Sequence, residues 1–104
     1  MTETASNTEL RATGEGEFSL SGELTFASVP SLWRKAKYPF PDTHGISLDL
    51  GGVIHSDSAG LALMVEWLRE SNMRGATLAF QNIPTQMLSL ARTAGIDAFL
   101  QAPG

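Results

Sequence analysis

Cysteine is absent from this chain of 104 residues, and long apolar runs are absent as well. Without cysteine there are no disulfides, no thiolate metal ligands and no thiol nucleophile. No apolar run approaches the roughly 18 residues that span a bilayer. Residues 1–7 lack the basic-then-apolar order of a secretory signal. The sequence therefore predicts a soluble cytosolic domain with no direct membrane insertion, preceded by a flexible tail over residues 1–7.

Basic residues are also few, with seven Lys and Arg against eleven Asp and Glu and a formal net charge of −4. They are scattered, so no basic patch is available for nucleic acid or for an anionic membrane surface. What remains is an ordinary globular composition, with 42% hydrophobic and 17% charged residues. A chain of this length fits one compact domain with one core, which we place over residues 8–104.

Strand-like and helix-like patterns alternate along the chain. Three helices are predicted to begin near residues 28, 58 and 82, because apolar residues recur there at i, i+3, i+4 and i+7. Residues 96–100 add either a short edge strand or a last helical turn. The strands are predicted at 8–12, 17–20, 46–50 and 76–80.

This order predicts an α/β fold, a single four- to five-stranded mixed sheet with about three helices packed on one side. The first two strands flank the glycine-rich turn 13–16 and form a hairpin. Residues 21–24 are interpreted as leaving the second strand. Gly51 and Gly52 are interpreted as the tight turn that ends the third strand.

The most informative segment is Asp57-Ser58-Ala59-Gly60, where the third strand passes through a short turn into the second helix. A hydroxyl at such a junction lies beside unpaired backbone N–H groups and the positive end of a helix dipole, so it tolerates added negative charge. Asp57 has a simpler interpretation as a carboxylate that stabilises a helix N-terminus. Taken alone, the segment is more often an ordinary helix start than a regulatory site.

The second helix carries apolar residues on two sides. Those of the first side are Leu61, Met64, Val65 and Leu68, and those of the roughly opposite side are Ala59, Leu63 and Trp67. A helix that packs on one sheet is expected to be polar on its outer side. We therefore expect an exposed apolar patch that binds a partner, with Trp67 as a binding hot spot. The alternative is that the third helix covers Trp67.

No complete catalytic or phosphate-binding motif is present in the sequence. His44 and His55 have no metal-ligand spacing around them and are interpreted as loop residues. Ser58 lacks the Gly-x-Ser-x-Gly context of a hydrolase nucleophile, and two loop histidines define no Asp–His–Ser relay. Gly51-Gly52 matches neither a Walker loop nor a dinucleotide fingerprint. We therefore expect no enzyme activity, no metal and no cofactor.

Several short motifs together resemble the STAS domain family. They occur in a fixed order between Phe18 and Leu100, and the order and spacing are more specific than any single motif. The motifs are Leu20-Ser21-Gly22-Glu23-Leu24, Leu48-Asp49-Leu50, Asp57-Ser58-Ala59-Gly60-Leu61, Gly75 before the fourth strand, and Ala91-Arg92-Thr93-Ala94-Gly95-Ile96. This resemblance implies the SpoIIAA-like STAS fold and a regulatory binding module, with the hydroxyl of Ser58 at the regulatory position.

Within this family the chain is most similar to the MlaB-like branch, through its Gly-Glu-Leu-Thr-Phe opening at 22–26 and its two tryptophans, Trp33 and Trp67. The resemblance implies a non-catalytic subunit that binds the MlaF-like ATPase of an ATP-binding cassette (ABC) complex. Complexes of this Mla type transport phospholipid and maintain outer-membrane lipid asymmetry. The implied location is cytoplasmic and peripheral on the inner membrane, through the ATPase and its membrane permease.

Combined with the outer side of the second helix, the resemblance gives a set of predicted partner-binding residues, which are Asp57, Ser58, Ala59, Gly60, Leu63 and Trp67. A second branch of the family, the anti-sigma factor antagonists, is the alternative. In that branch a partner kinase phosphorylates the hydroxyl residue that corresponds to Ser58. Antagonists usually carry an acidic residue after the Gly-Glu-Leu step, whereas this chain has Thr25 there, which favours the MlaB-like branch.

Overall fold

The computed structural model describes residues 8–101. The tail predicted over residues 1–7 and the last residues of the domain predicted over 8–104 lie outside the described part. The elements in chain order are β1 (Glu9–Gly14), β2 (Glu17–Leu24), α1 (Val29–Lys35), β3 (Gly45–Ser56), α2 (Ser58–Met73), β4 (Thr77–Gln81), α3 (Thr85–Ala94) and α4 (Asp97–Gln101). The predicted α/β order of strands and helices is confirmed.

The four strands form one mixed sheet in the order β1-β2-β3-β4. β1 and β2 pair antiparallel as the predicted hairpin, whereas β2–β3 and β3–β4 pair parallel through helical crossovers. β4 pairs with β3 only as far as Asp49, opposite Gln81. β2 follows β3 further, to Leu24 opposite Ser56. The end of β3 therefore extends beyond its neighbour on the β4 side.

The sheet has one apolar and one polar face, as the predicted one-sided packing requires. Side chains alternate along each strand, and the helices cover the face that carries the buried apolar residues. Those of the sheet core include Leu20, Leu24, Ile46, Leu48, Leu50 and Leu78. The opposite face carries mainly short polar side chains, such as Ser19, Ser21, Ser47, Asp49 and Thr77. No helix within residues 8–101 is long and apolar enough to cross a membrane.

Two strands are longer than the sequence predicts. Residues 21–24 stay in β2, and Gly51 and Gly52 lie inside β3 instead of ending it. The pairing register slips between Ser19 and Ser21 of β2, so β3 takes up an extra residue there as a β-bulge. A Cβ on Gly52 would lie 2.8 Å from the Cβ of Ser21. Gly52 therefore permits close approach of β2 and β3, and the glycine pair does not form a turn.

The helices agree better with their periodicity. α2 and α3 occupy the predicted segments, and α3 ends before Gly95 as predicted. Residues 97–101 form the short helix α4, so the alternative of an edge strand is wrong. α1 is shorter than its apolar stripe suggests and has no fully buried residue. Its side chains Val29 and Trp33 consequently stay partly accessible beside α2.

Candidate functional site

Asp57 joins the end of β3 to the start of α2. Its backbone is extended and its Oδ1 accepts a hydrogen bond of 2.9 Å from the N–H of Ala59, so it is the N-cap of α2. The sequence interpretation of Asp57 as a helix-start carboxylate is confirmed. Its own N–H donates to the carbonyl oxygen of Leu24 at 3.1 Å. The start of α2 is therefore tied to the end of β2.

The second oxygen of Asp57 holds the turn that follows β2. Oδ2 accepts a hydrogen bond of 3.1 Å from the N–H of Phe26. The same turn is fixed from within, because the N–H of Thr25 donates to Ser28 Oγ at 3.0 Å and the N–H of Ala27 donates to Thr25 Oγ1 at 3.1 Å. Ser28 Oγ in turn donates to the carbonyl oxygen of Glu23 at 2.6 Å. Hydrogen bonds thus fix residues 25–28 against Asp57.

Phe26 lies at the tip of this fixed turn, with 70% of its surface exposed. A single exposed apolar side chain is ordinary, but Phe26 adjoins an apolar groove, and a contiguous apolar patch of this kind is typical of a binding surface. Sequence reasoning missed Phe26. The Thr25 and Ser28 hydroxyls are a recognisable turn signal, but exposure of the intervening side chain depends on how the turn sits against Asp57.

An apolar groove of about 520 Å³ runs from Phe26 between α1 and α2. It brings together two predicted partner-binding residues, since Ala59 and Leu63 both line it. Leu63 is only 3% exposed and forms part of its wall. The lining residues are Phe26, Val29, Pro30, Trp33, Ala59, Ala62, Leu63 and Glu66. Glu66 is the one charged side chain among these lining residues, so a partner that entered the groove would meet mainly apolar groups.

Ser58 is the first residue of α2, and it is exposed at the start of the helix. Within residues 8–101 its hydroxyl makes no hydrogen bond to a histidine or carboxylate, and each oxygen of Asp57 accepts a hydrogen bond from a backbone N–H group. In the described part of the chain, no general base is therefore hydrogen-bonded to Ser58. The serine is accessible to a partner or a modifying enzyme.

The prediction that Trp67 is exposed for a partner is wrong, because the side chain is 0% exposed. Its Nε1–H donates to the carbonyl oxygen of Lys37 at 2.9 Å, and Phe40 packs edge-on against the ring with centroids 5.2 Å apart. The segment after α1 therefore crosses over Trp67. The alternative is that the third helix covers Trp67, but the residues in these contacts, Lys37 and Phe40, lie in the segment after α1. Trp67 belongs to the core, together with Phe40.

Gly60 is buried, and its role is in packing. A Cβ at this position would lie 2.6 Å from the carbonyl oxygen of Leu24 and 2.8 Å from the Leu24 Cβ. The first turn of α2 approaches the end of β2 more closely than any side chain allows. Of the six predicted partner-binding residues, Asp57, Ser58 and Ala59 are at least partly exposed, Leu63 is buried in the wall of the groove, and Gly60 and Trp67 are internal.

Asp49, in the Leu-Asp-Leu segment of β3, lies near the β-bulge and accepts two hydrogen bonds there. Its Oδ1 accepts hydrogen bonds from Asn82 Nδ2 at 2.9 Å and from the N–H of Gly51 at 2.8 Å. These bonds, that of Asn82 first, lower the pKa of the Asp49 carboxyl. Asn82 has a positive φ of 55°, so the bond holds it in a conformation that few residues adopt. Asp49 consequently connects β3 to the end of β4.

No metal centre is formed by the described chain. Within residues 8–101, no group of three or more His, Cys, Asp or Glu side chains could hold a metal ion. The site consists of an exposed hydroxyl, a fixed aromatic side chain and an apolar groove. This arrangement suits contact with a partner molecule.

A profile of the family described as Mlab, STAS domain, matches residues 8–101. The chain therefore belongs to the STAS family, whose domains are generally regulatory or binding modules. The predicted membership and fold are confirmed. No curated protein matches the sequence significantly.

Solved structures resemble this chain in fold alone. The anti-sigma factor antagonist SpoIIAA, in its unphosphorylated form, has a TM-score of 0.55 and 16% identity over 82% of this chain and 81% of its own. Mglu has a TM-score of 0.53 and 18% identity over 75% of this chain and 20% of its own. The chain thus spans about a fifth of the length of Mglu. At these identities the similarity supports the fold and carries no function across.

Proposed function

We propose that this chain is a non-catalytic regulatory and assembly subunit that binds the cytoplasmic ATPase of an Mla-type phospholipid-transport ABC complex. Such a complex maintains outer-membrane lipid asymmetry. The family profile, with its MlaB description over residues 8–101, supports this branch of the family. The chain would then be cytoplasmic, and peripheral on the inner membrane through the ATPase and its permease.

The observation that carries the proposal is the surface around Ser58. We call the residues Phe26, Ser58, Ala59, Ala62 and Leu63 the docking surface. Phe26, Ala59, Ala62 and Leu63 line one groove, and Ser58 precedes Ala59 at its end. Aromatic side chains are enriched in protein interfaces. Burying a Phe side chain contributes about 1.5–3 kcal/mol.

The docking surface is also preorganised. Asp57 Oδ2 and the Thr25 and Ser28 hydroxyls already fix the turn that carries Phe26. A partner therefore has little backbone to order when it binds, which removes part of the entropic cost of association. Thr25, which stands where antagonists carry an acid, is buried and binds the N–H of Ala27. Its role is internal to this turn.

Binding of the full chain to the purified ATPase from the same genome, measured by calorimetry, tests the proposal. Phe26→Ala is expected to weaken binding by roughly tenfold or more. Ser58→Asp places an unmatched carboxylate in the interface and is expected to cost on the order of 2 kcal/mol. Ser58→Ala is expected to have a smaller effect, because Asp57 still caps α2.

Met73→Ala is the matched control for Phe26→Ala. Met73 is an equally exposed apolar residue, but it ends the 16-residue α2 that Ser58 begins. At a rise of about 1.5 Å per residue, the two helix ends lie roughly 22 Å apart. Met73→Ala is expected to bind like the parent chain. If the ATPase fails to bind, or if Ser58→Asp and Phe26→Ala bind as well as the parent, the docking surface is not the ATPase interface.

An anti-sigma factor antagonist phosphorylated on Ser58 is the second candidate. The exposure of Ser58 at the start of α2 favours it, because the hydroxyl is accessible to a kinase. Incubation with ATP and with the candidate anti-sigma kinases of the same genome, followed by mass spectrometry, separates the two candidates. Phosphate on Ser58 together with capture of a kinase, and no capture of the ATPase, would favour this candidate over the ATPase subunit.

A further inference from the structure

A second cleft lies on another side of the Ser58 junction, between the first turns of α2 and α3. Its volume is about 620 Å³. Four of its lining residues carry hydroxyl groups, and these are Ser56, Ser58, Thr85 and Ser89. His55 and Gln86 add further hydrogen-bonding groups. The cleft therefore concentrates donors that suit an oxyanion.

Two helix starts meet at this cleft. α2 begins at Ser58 and α3, of ten residues, begins at Thr85. The N-cap of α3 is Pro84, which makes no side-chain cap. In the described chain the N–H groups of the first turn of α3 therefore keep their partial positive charge, equivalent to about +0.5 for a helix N-terminus. Helix N-termini of this kind bind phosphate and carboxylate groups.

Asp57 also lines the cleft, and its negative charge opposes and weakens the binding of an anion there. Its two oxygens accept the N–H groups of Ala59 and Phe26, at 2.9 and 3.1 Å. The bond from Ala59 caps α2, and the bond from Phe26 holds the turn over residues 25–28. The carboxylate neutralises much of the dipole of α2, so α3 supplies the main electrostatic attraction in the cleft.

Ser56 gives an independent indication that a ligand belongs here. It is 3% exposed, and its Oγ is enclosed without a hydrogen-bond partner in the described part of the chain. A buried hydroxyl without a partner is unfavourable, so it is usually satisfied by something bound. The backbone N–H of Ser56 donates to Gln86 Oε1 at 3.2 Å, which ties the first turn of α3 to the end of β3. The wall of the cleft is thus held in place while one of its hydroxyls stays unsatisfied.

We propose that this cleft binds a phosphate group, either free phosphate or a small phosphomonoester. The first-turn N–H groups of α3 and the hydroxyls of Ser56, Thr85 and Ser89 would donate to its oxygens. Phosphate is favoured over a carboxylate because four oxygens can use this number of donors. The volume also leaves room for the organic part of a monoester. No Lys or Arg lines the cleft, so we expect weak binding, with a dissociation constant on the order of 1 mM.

The test is an NMR titration of the full chain with inorganic phosphate, at constant pH and at an ionic strength balanced with sodium chloride. We expect saturable shifts at the amides of Ser56, Thr85 and Gln86. A parallel titration with glycerol 3-phosphate distinguishes the sources. Tighter binding than that of inorganic phosphate would identify a phosphomonoester as the ligand, and equal or weaker binding would identify free phosphate.

Ser89→Ala is expected to weaken phosphate binding at least about fivefold, since it removes one hydrogen bond to a charged group. Ser31→Ala, an exposed helical serine outside the cleft, is the matched control and is expected to bind like the parent. Ser56→Ala should also weaken phosphate binding. If the Ser56→Ala variant does not fold, Thr85→Val takes its place in the test. Shifts that stay linear to high phosphate, or that are unchanged in Ser89→Ala, would mean adventitious ion binding and overturn the proposal. The test does not involve the ATPase, so its result is independent of the docking surface.

Discussion

Replacing Trp67 with alanine separates a core role from an interface role. The side chain is 0% exposed, and it contacts Phe40 edge-on and donates to the carbonyl oxygen of Lys37. Truncating a buried Trp typically costs about 3–5 kcal/mol. Within that sum, the edge contact contributes about 0.5–1.5 kcal/mol and the hydrogen bond roughly 1 kcal/mol. Small domains have about 5–15 kcal/mol of stability in all, so Trp67→Ala should leave a marginal domain.

Urea unfolding followed by far-ultraviolet circular dichroism measures this loss without relying on tryptophan fluorescence. With a slope near 1 kcal/mol per M for a domain of this size, the midpoint should fall by roughly 3 M or more. Trp33→Ala is the matched control, because Trp33 is only partly buried in the groove. Its free energy of unfolding should fall by about half as much or less. If Trp67→Ala costs less than Trp33→Ala, the ring is not the packing centre that its burial indicates.

Two further predictions concern stability. Gly60→Ala should lower the free energy of unfolding, measured by thermal unfolding, by about 1–3 kcal/mol, because the added Cβ would meet the Leu24 backbone. The control is Gly45→Ala, which has open space around the new Cβ and should change the free energy of unfolding little. Equal losses in the two variants would contradict the packing role of Gly60. Asp49→Asn should destabilise the domain at pH 7. The folded-state pKa of Asp49 is lowered by Asn82 and then by Gly51, so its stabilisation is present above the unfolded pKa near 3.9 and is lost as the pH falls through the folded value. Unfolding at pH 7 and near pH 2 should therefore show a parent–variant difference that shrinks in acid, whereas an equal difference at both would refute this account.

Local patterns predicted most of the architecture. α2 and α3 follow from apolar periodicity, and the helix-start role of Asp57 follows from its position before Ser58. The turn predicted at Gly51 and Gly52 is wrong, because a glycine pair has the same sequence signature in a turn and in a bulge. Only the register of β3 against Ser21 of β2 distinguishes the two.

The candidate site could be predicted only in part. Ser58 and Ala59 follow from the motif at the strand–helix junction, which is local in sequence. Trp67 could not be assigned, because its burial depends on a segment far away in the chain, around Lys37 and Phe40. Phe26 could not be found either, since its exposure depends on the bond from its N–H to Asp57. Both are contacts between residues that are distant in sequence, and periodicity carries no information about them.

The uneven pairing of β3 divides the domain into two parts that differ in local stability. From Gly45 to Asp49 the strand has a neighbour on each side, whereas beyond Asp49 it is paired along β2 alone. Backbone bonded on one side opens at a lower free-energy cost than backbone in the middle of a sheet. Ser58 and both clefts lie at this singly paired end. We therefore expect the backbone of β3 beyond Asp49 to open at a lower cost than Gly45–Asp49, while the hydrogen bonds of Asp57 keep the docking surface itself in place.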